Sequence, residues 1–99
     1  MQHIQVEQFL QDKVKHTEKV AAGVGYDSIN IQLRAGESVA EHSASGEVLI
    51  VCRKGRVKFY VEGQVTELDA NALLMLEPNE KHRLEAVEDC EMIVVRLKK

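Results

Sequence analysis

Apolar positions alternate along most of this chain instead of recurring at helical spacing. SINIQLR, residues 28–34, sets Ile29, Ile31 and Leu33 on one face and Asn30, Gln32 and Arg34 on the other, the pattern of a half-buried strand. VLIVC is a short apolar run and RKG turns the chain. RVKFYVEG then alternates Val57, Phe59 and Val61 inward against Lys58, Tyr60 and Glu62, with Gly55 and Gly63 closing the runs. QVTEL and ALLML follow, divided by a polar Asp69-Ala70-Asn71 turn. ALLML stops at Glu77-Pro78 because proline cannot donate to a ladder. HRLEAV and EMIVVRLK give two more strands, separated at Glu88 and Asp89. Strands spaced by roughly 8 to 12 residues, with no long helix, predict an all-β sandwich or barrel.

The N-terminal part is less regular. Residues 3–20 carry weak helical spacing through Val6, Phe9, Leu10 and Val14, but β-branched residues and the lack of clear caps leave a short helical turn or an irregular arm both open. The glycines and aspartate of AAGVGYD signal a loop. The expected organisation is one domain over residues 1–99, with an arm at 1–27 and the barrel at 28–97.

Composition narrows the function classes. A chain of 99 residues supports one core, so any site lies inside this fold or at an oligomer interface. With 44% hydrophobic and 29% charged residues, and no Trp, it reads as an ordinary globular protein. The formal charge of −3 comes with basic residues scattered among acidic ones, so nucleic acid is not an expected partner. MQHIQVEQ lacks a signal pattern and no apolar run approaches the roughly 18 residues of a membrane span, so a cytoplasmic protein without membrane contact is expected. Cys52 and Cys90 form no CxxC pair and are expected as reduced thiols.

The order of Gly36, His42, Gly55, Pro78 and His82 resembles the two motifs of the cupin superfamily, in particular its small single-domain members. The resemblance covers residues 28–97 and implies a double-stranded β-helix, the jelly-roll barrel, and a homodimer; the open sheet edges of such a barrel offer strand exchange or sheet-to-sheet packing as the route. Gly36, ESVAE and His42 match the opening of the first motif, which makes His42 the counterpart of the first metal-binding histidine. The second histidine position falls on Ala44, and the glutamate position falls on Val48 when counted back from Gly55. In the second motif Ala72 replaces a glycine, Pro78 is kept, and PNEKH shortens the gap to His82 by one residue. Two of the four usual ligands are therefore missing.

A divalent centre takes at least three protein ligands, which two histidines do not supply. Glu47 could serve if the SASG loop were a residue short and the next strand bulged. Strand parity argues against this: with Val48, Ile50 and Cys52 facing inward, Glu47 faces out. Burying Val48 contributes about 1.5 to 3 kcal/mol, whereas an unpaired buried carboxylate costs more than that. Cys52 then reads as a small buried hydrophobe beside the pocket, Met75 and Met92 as core filling, and His3 and His16 as solvated.

Two function classes follow. One is a small-molecule-binding module with an apolar pocket lined by His42, His82, Cys52 and Val48 and no cofactor. The other is a metal-dependent enzyme of dioxygenase, isomerase or lyase type, using His42, His82 and a further ligand to hold Zn, Ni, Fe or Mn. Two imidazoles sharing one pocket repel when both are protonated, so their charge should change near or below a pH of about 6.5, and ligand binding with it.

Overall fold

The computed structural model describes residues 1–98 and is all-β. Nine strands lie among the described residues: β1 Lys15–Gly23, β2 Tyr26–Leu33, β3 Ser38–His42, β4 Val48–Lys54, β5 Val57–Val61, β6 Gln64–Leu68, β7 Leu73–Leu76, β8 His82–Ala86 and β9 Cys90–Leu97. They form two antiparallel sheets, one ordered β1-β2-β9-β4-β7 and the other β3-β8-β5-β6. This is the expected double-stranded β-helix. No helix among the described residues is long and apolar enough to cross a membrane.

The core lies between the sheets and follows the alternation read from the sequence. Leu33 from β2, Ile50 from β4, Val57 and Phe59 from β5, Leu84 from β8 and Met92 from β9 are all buried there. Val48, Ile50 and Cys52 point inward, and the parity of β4 is therefore as read. Gly55 turns β4 into β5 at φ +76°, and a Cβ there would run into the Asp89 carbonyl oxygen; both conformation and close approach select glycine.

The N-terminal segment departs from the expected arm. Helical spacing over residues 3–20 gives only one turn, closed by Asp12 N and Lys13 N donating to the Phe9 carbonyl at 3.1 and 3.0 Å. From Lys15 the chain is strand, because β2 offers a complete ladder running from Lys15 opposite Leu33 to Gly23 opposite Tyr26, with an irregularity near Val20. Long-range pairing here outweighs a weak local helical preference.

Residues 7–10 lie against the outer face of that sheet. Asn30 and Gln32, expected on a polar outer face, are buried. Gln32 Nε2 donates to the Glu7 carbonyl at 2.6 Å, and its Oε1 accepts from Phe9 N at 2.9 Å. Asn30 Nδ2 donates to Glu91, whose other oxygen accepts from Arg53 Nε at 3.0 Å. Every partner in this chain is bonded, as burial of polar groups demands. His16 is half-buried where solvation was expected, since the Phe9 ring stacks on it with centroids 3.8 Å apart.

Met75 also departs from expectation. It is 48% exposed, because β7 is an edge strand and Met75 lies on its outer face opposite Leu49. Met92 is fully buried.

Candidate functional site

The site begins with the loops that bring two sheet ends together. Gly36, at φ +88°, ends the turn after β2, and its N–H donates to the Ala86 carbonyl at 2.9 Å, which starts β3 alongside β8. Asn79 adopts φ +67°, a conformation asparagine tolerates, and its N–H donates to the Ala44 carbonyl at 2.7 Å. The second motif's loop is thereby tied to the first motif's loop.

Between them a register shift does the decisive positioning. Val39 pairs with Leu84 and His42 pairs with His82, so β3 carries one residue more than β8 over this stretch. Simple alternation from inward-facing Val39 would have turned Glu41 inward and His42 outward. The bulge reverses the parity and puts His42 on the cavity wall.

The two imidazoles stand with centroids 4.2 Å apart and planes tilted by 60°. His82 is 4% exposed, whereas His42 is exposed at the mouth. Each Nδ1 rests on a backbone carbonyl, His42 on Ala40 at 2.9 Å and His82 on Glu80 at 3.1 Å. A carbonyl oxygen can only accept, so in each neutral ring Nδ1 carries the proton and Nε2 the lone pair. No fully buried side-chain nitrogen or oxygen among the described residues lacks a partner, so the unbonded Nε2 of His82 is open to the cavity. Burial holds the His82 pKa below the ordinary histidine value, and the nearby His42 charge lowers it further against the Glu80 hydrogen bond.

The cavity has a volume of ≈ 200 Å³ and reaches down between the sheets. Ile29, Ile31, Ile50, Phe59, Leu84 and Val94 make its apolar wall, with Lys15, Thr17, Ser43 and Arg96 as polar members besides the histidines. Ala44 and Val48 line the same cavity as His42 and His82. The four positions that the motif frame assigned to ligands therefore surround one space, and two of them are apolar.

Glu47 and Cys52 are not brought to this wall. Glu47 is half-buried on the opposite parity from Val48. Cys52 lies deeper, its Sγ 3.4 Å from the Lys54 carbonyl, and burial raises its pKa. Cys90 is likewise buried and its pKa is pushed up to about 12, mainly by desolvation. Both thiols stay protonated and inert at neutral pH. His3 is exposed and lies outside the cavity lining.

Lys15, Thr17 and Arg96 were not foreseen as lining residues. Arg96 is held by Asp27, Nε to Oδ1 at 2.8 Å and Nη2 to Oδ2 at 2.7 Å, and this bidentate pair lowers the buried Asp27 pKa to about 2. The sequence signal available was only the inward parity of Arg96 on EMIVVRLK. For Lys15 and Thr17 there was none, since KHTEK is polar on both faces.

Comparison with known proteins agrees with this architecture. The family model described as Cupin domain matches residues 30–96, and the chain belongs to the cupin family. No curated protein matches it. Among solved structures, a cupin superfamily protein from Desulfitobacterium hafniense superposes with a TM-score of 0.80 at 19% identity, covering 86% of this chain and 78% of that one. An RmlC-like cupin from Desulfovibrio desulfuricans gives 0.79 at 23% identity, covering 96% and 97%. KdgF from Halomonas sp. gives 0.77 at 15% identity, covering 99% and 89%. Likeness at these identities speaks for the fold alone.

The metal that the cupin motifs imply does not fit this donor set. Among the described residues no three His, Cys, Asp or Glu side chains converge anywhere, and the wall beside the two imidazoles is Ala44 and Val48. The chain's own donors at this point fall one short of a three-ligand centre.

Proposed function

We propose that this cupin is a small-molecule-binding module whose ligand fills the barrel cavity with His42 and His82 as its polar anchors. The observation that carries the reading is the pairing of two oriented imidazoles, 4.2 Å apart, with an apolar wall in which Ala44 and Val48 stand at ligand positions. Such a cavity recognises a ligand by enclosing its body and bonding a few polar atoms. At ≈ 200 Å³ it suits a molecule smaller than those held by the roughly 300 to 1,000 Å³ pockets of drug-sized ligands.

A second reading, a metal-dependent enzyme, needs a ligand from outside this donor set, and one observation favours it. Imidazoles that ligate metals donate their other N–H to a carbonyl or carboxylate, and both rings here do so. Elemental analysis of the untagged protein and of His42→Ala and His82→Ala separates the two. The binding-module reading expects no stoichiometric metal after incubation with zinc, nickel, iron or manganese. About one ion per chain, lost in both variants, would overturn it.

We further propose a homodimer through the outer face of the five-stranded sheet. There Val95, Leu49 and Met75 form one cross-strand row and Ile93, Val51 and Leu73 the next, all at least partly exposed. A contiguous aliphatic grid on one sheet face is the kind of patch that a symmetric partner covers.

A further inference from the structure

The cavity is polar at two separate points, and these offer opposite chemistry. At one, Lys15 and Thr17 alternate on β1 and bring an ammonium and a hydroxyl to the wall. Lys15 Nζ donates to the Ser38 carbonyl, which uses one of its three protons, and no carboxylate among the described residues pairs with it. At the other, His42 and His82 keep Nδ1–H on backbone carbonyls and present Nε2 as an acceptor. The wall between is apolar, with Val39, Ile50 and Phe59 among its members. Among the described residues no Asp or Glu lines the cavity, and the charge of Arg96 is already answered by both oxygens of Asp27.

The two points are separated by roughly the length of one short strand. Lys15 Nζ rests on Ser38 and the imidazole pair begins at His42, the two ends of β3. A strand of that length spans about 13 Å, and the His42 ring rests back on the Ala40 carbonyl, so the two points lie closer together than the whole strand. An apolar cavity of about 150 Å³ holds one benzene ring, so ≈ 200 Å³ leaves room for a ring with a polar group at each end. A para-substituted ring, with terminal oxygens about 7 Å apart and a hydrogen bond of about 2.8 Å at either end, is a ligand of the size that such a gap allows.

We propose that the ligand is a small carboxylate anion bearing a hydroxyl at its far end, with the carboxylate against Lys15 and Thr17 and the hydroxyl donating to His82 Nε2. This inference rests on the binding-module reading and specifies the ligand class of that same cavity. The two remaining ammonium protons of Lys15 and the Thr17 hydroxyl, at the exposed rim, are donors for the anion, the imidazole nitrogens are acceptors for the hydroxyl, and an apolar wall lies between them.

Calorimetric titration of the wild-type protein with 4-hydroxybenzoate, benzoate, phenol and 4-hydroxybenzylamine tests it. The expected order has 4-hydroxybenzoate binding about tenfold tighter than benzoate or phenol, with the amine weakest. Lys15→Met should weaken both carboxylates by about fivefold to tenfold and leave phenol unchanged. His82→Phe should bring 4-hydroxybenzoate down to the benzoate level. If phenol or the amine matches 4-hydroxybenzoate, the anion end is wrong although the binding module stands. If benzoate matches it, the hydroxyl end is wrong. If no probe binds the wild type at millimolar concentration, this inference falls, while the binding-module reading is decided separately by the metal analysis. The comparison on wild-type protein decides even where a variant fails to fold.

Discussion

His42 and His82 face each other across β3 and β8 as register partners, with ring centroids 4.2 Å apart, although simple strand alternation would turn His42 outward. A single extra residue in β3 is responsible. The pair is thus a product of the ladder as much as of the residue types.

Proximity and burial should be visible in titration. The His82 ring should titrate below the ordinary histidine pKa of about 6.5 in NMR spectra, and His42→Ala should move its midpoint upward by removing a neighbouring charge and admitting water. Linkage fixes the sign for stability. A histidine with a depressed folded pKa favours the native state above the unfolded pKa, and that contribution is lost as pH falls through the folded one. An unshifted midpoint, or one unmoved in His42→Ala, would contradict the close pair.

Position 48 tests the wall. Val48→Glu alone should cost about 2 to 4 kcal/mol in urea unfolding without metal, since the carboxylate lands on a buried face that offers it no partner. Combined with Ala44→His, the same change supplies four donors around one space, and zinc or nickel should then bind at about one ion per chain and recover the stability. A Val48→Glu variant as stable as wild type in chelator would show that the position is not enclosed.

The Asp27 and Arg96 pair gives an acid-side prediction. Asp27 is buried and its pKa is lowered to about 2, so its ionised form supports the fold above the unfolded value of about 4, and that support fades as pH falls toward 2. Arg96→Met leaves a buried carboxylate with Lys19, at 3.6 Å, and the more weakly acting Lys98 as counter-charges. The expected loss is about 2 to 4 kcal/mol near pH 7, shrinking as both proteins are taken to pH 2. A difference independent of pH would mean that packing of the arginine stem, not charge, is what Arg96 contributes.

The outer aliphatic grid predicts the oligomeric state. Wild-type protein should sediment as a dimer at micromolar concentration, and Leu73→Glu with Met75→Glu should yield a folded monomer, since both side chains are exposed and leave the core untouched. A wild-type monomer at high concentration, or a double variant that stays dimeric, would reject this face.

The sheets were legible in the amino-acid pattern alone. Period-two alternation in SINIQLR and RVKFYVEG, punctuated by Gly55, Pro78 and the polar turns, reports burial on one face, and burial is what a strand's side-chain period encodes. The motif frame also located His42, His82, Ala44 and Val48, which do line one cavity. Other placements depend on contacts made far along the chain. Lys15–Gly23 became a strand because β2 presented an open edge, information held in the partner and not in HTEKV. Gln32 is buried because the arm covers it, Asn30 is buried against Glu91 of β9, and Met75 is exposed on the outer face of the edge strand β7; none of these facts is local. Lys15 and Arg96 reach the cavity from opposite ends of the chain for the same reason. Local sequence fixes which face of a strand is apolar, whereas the neighbours that complete a site are chosen by long-range pairing, which no short window contains.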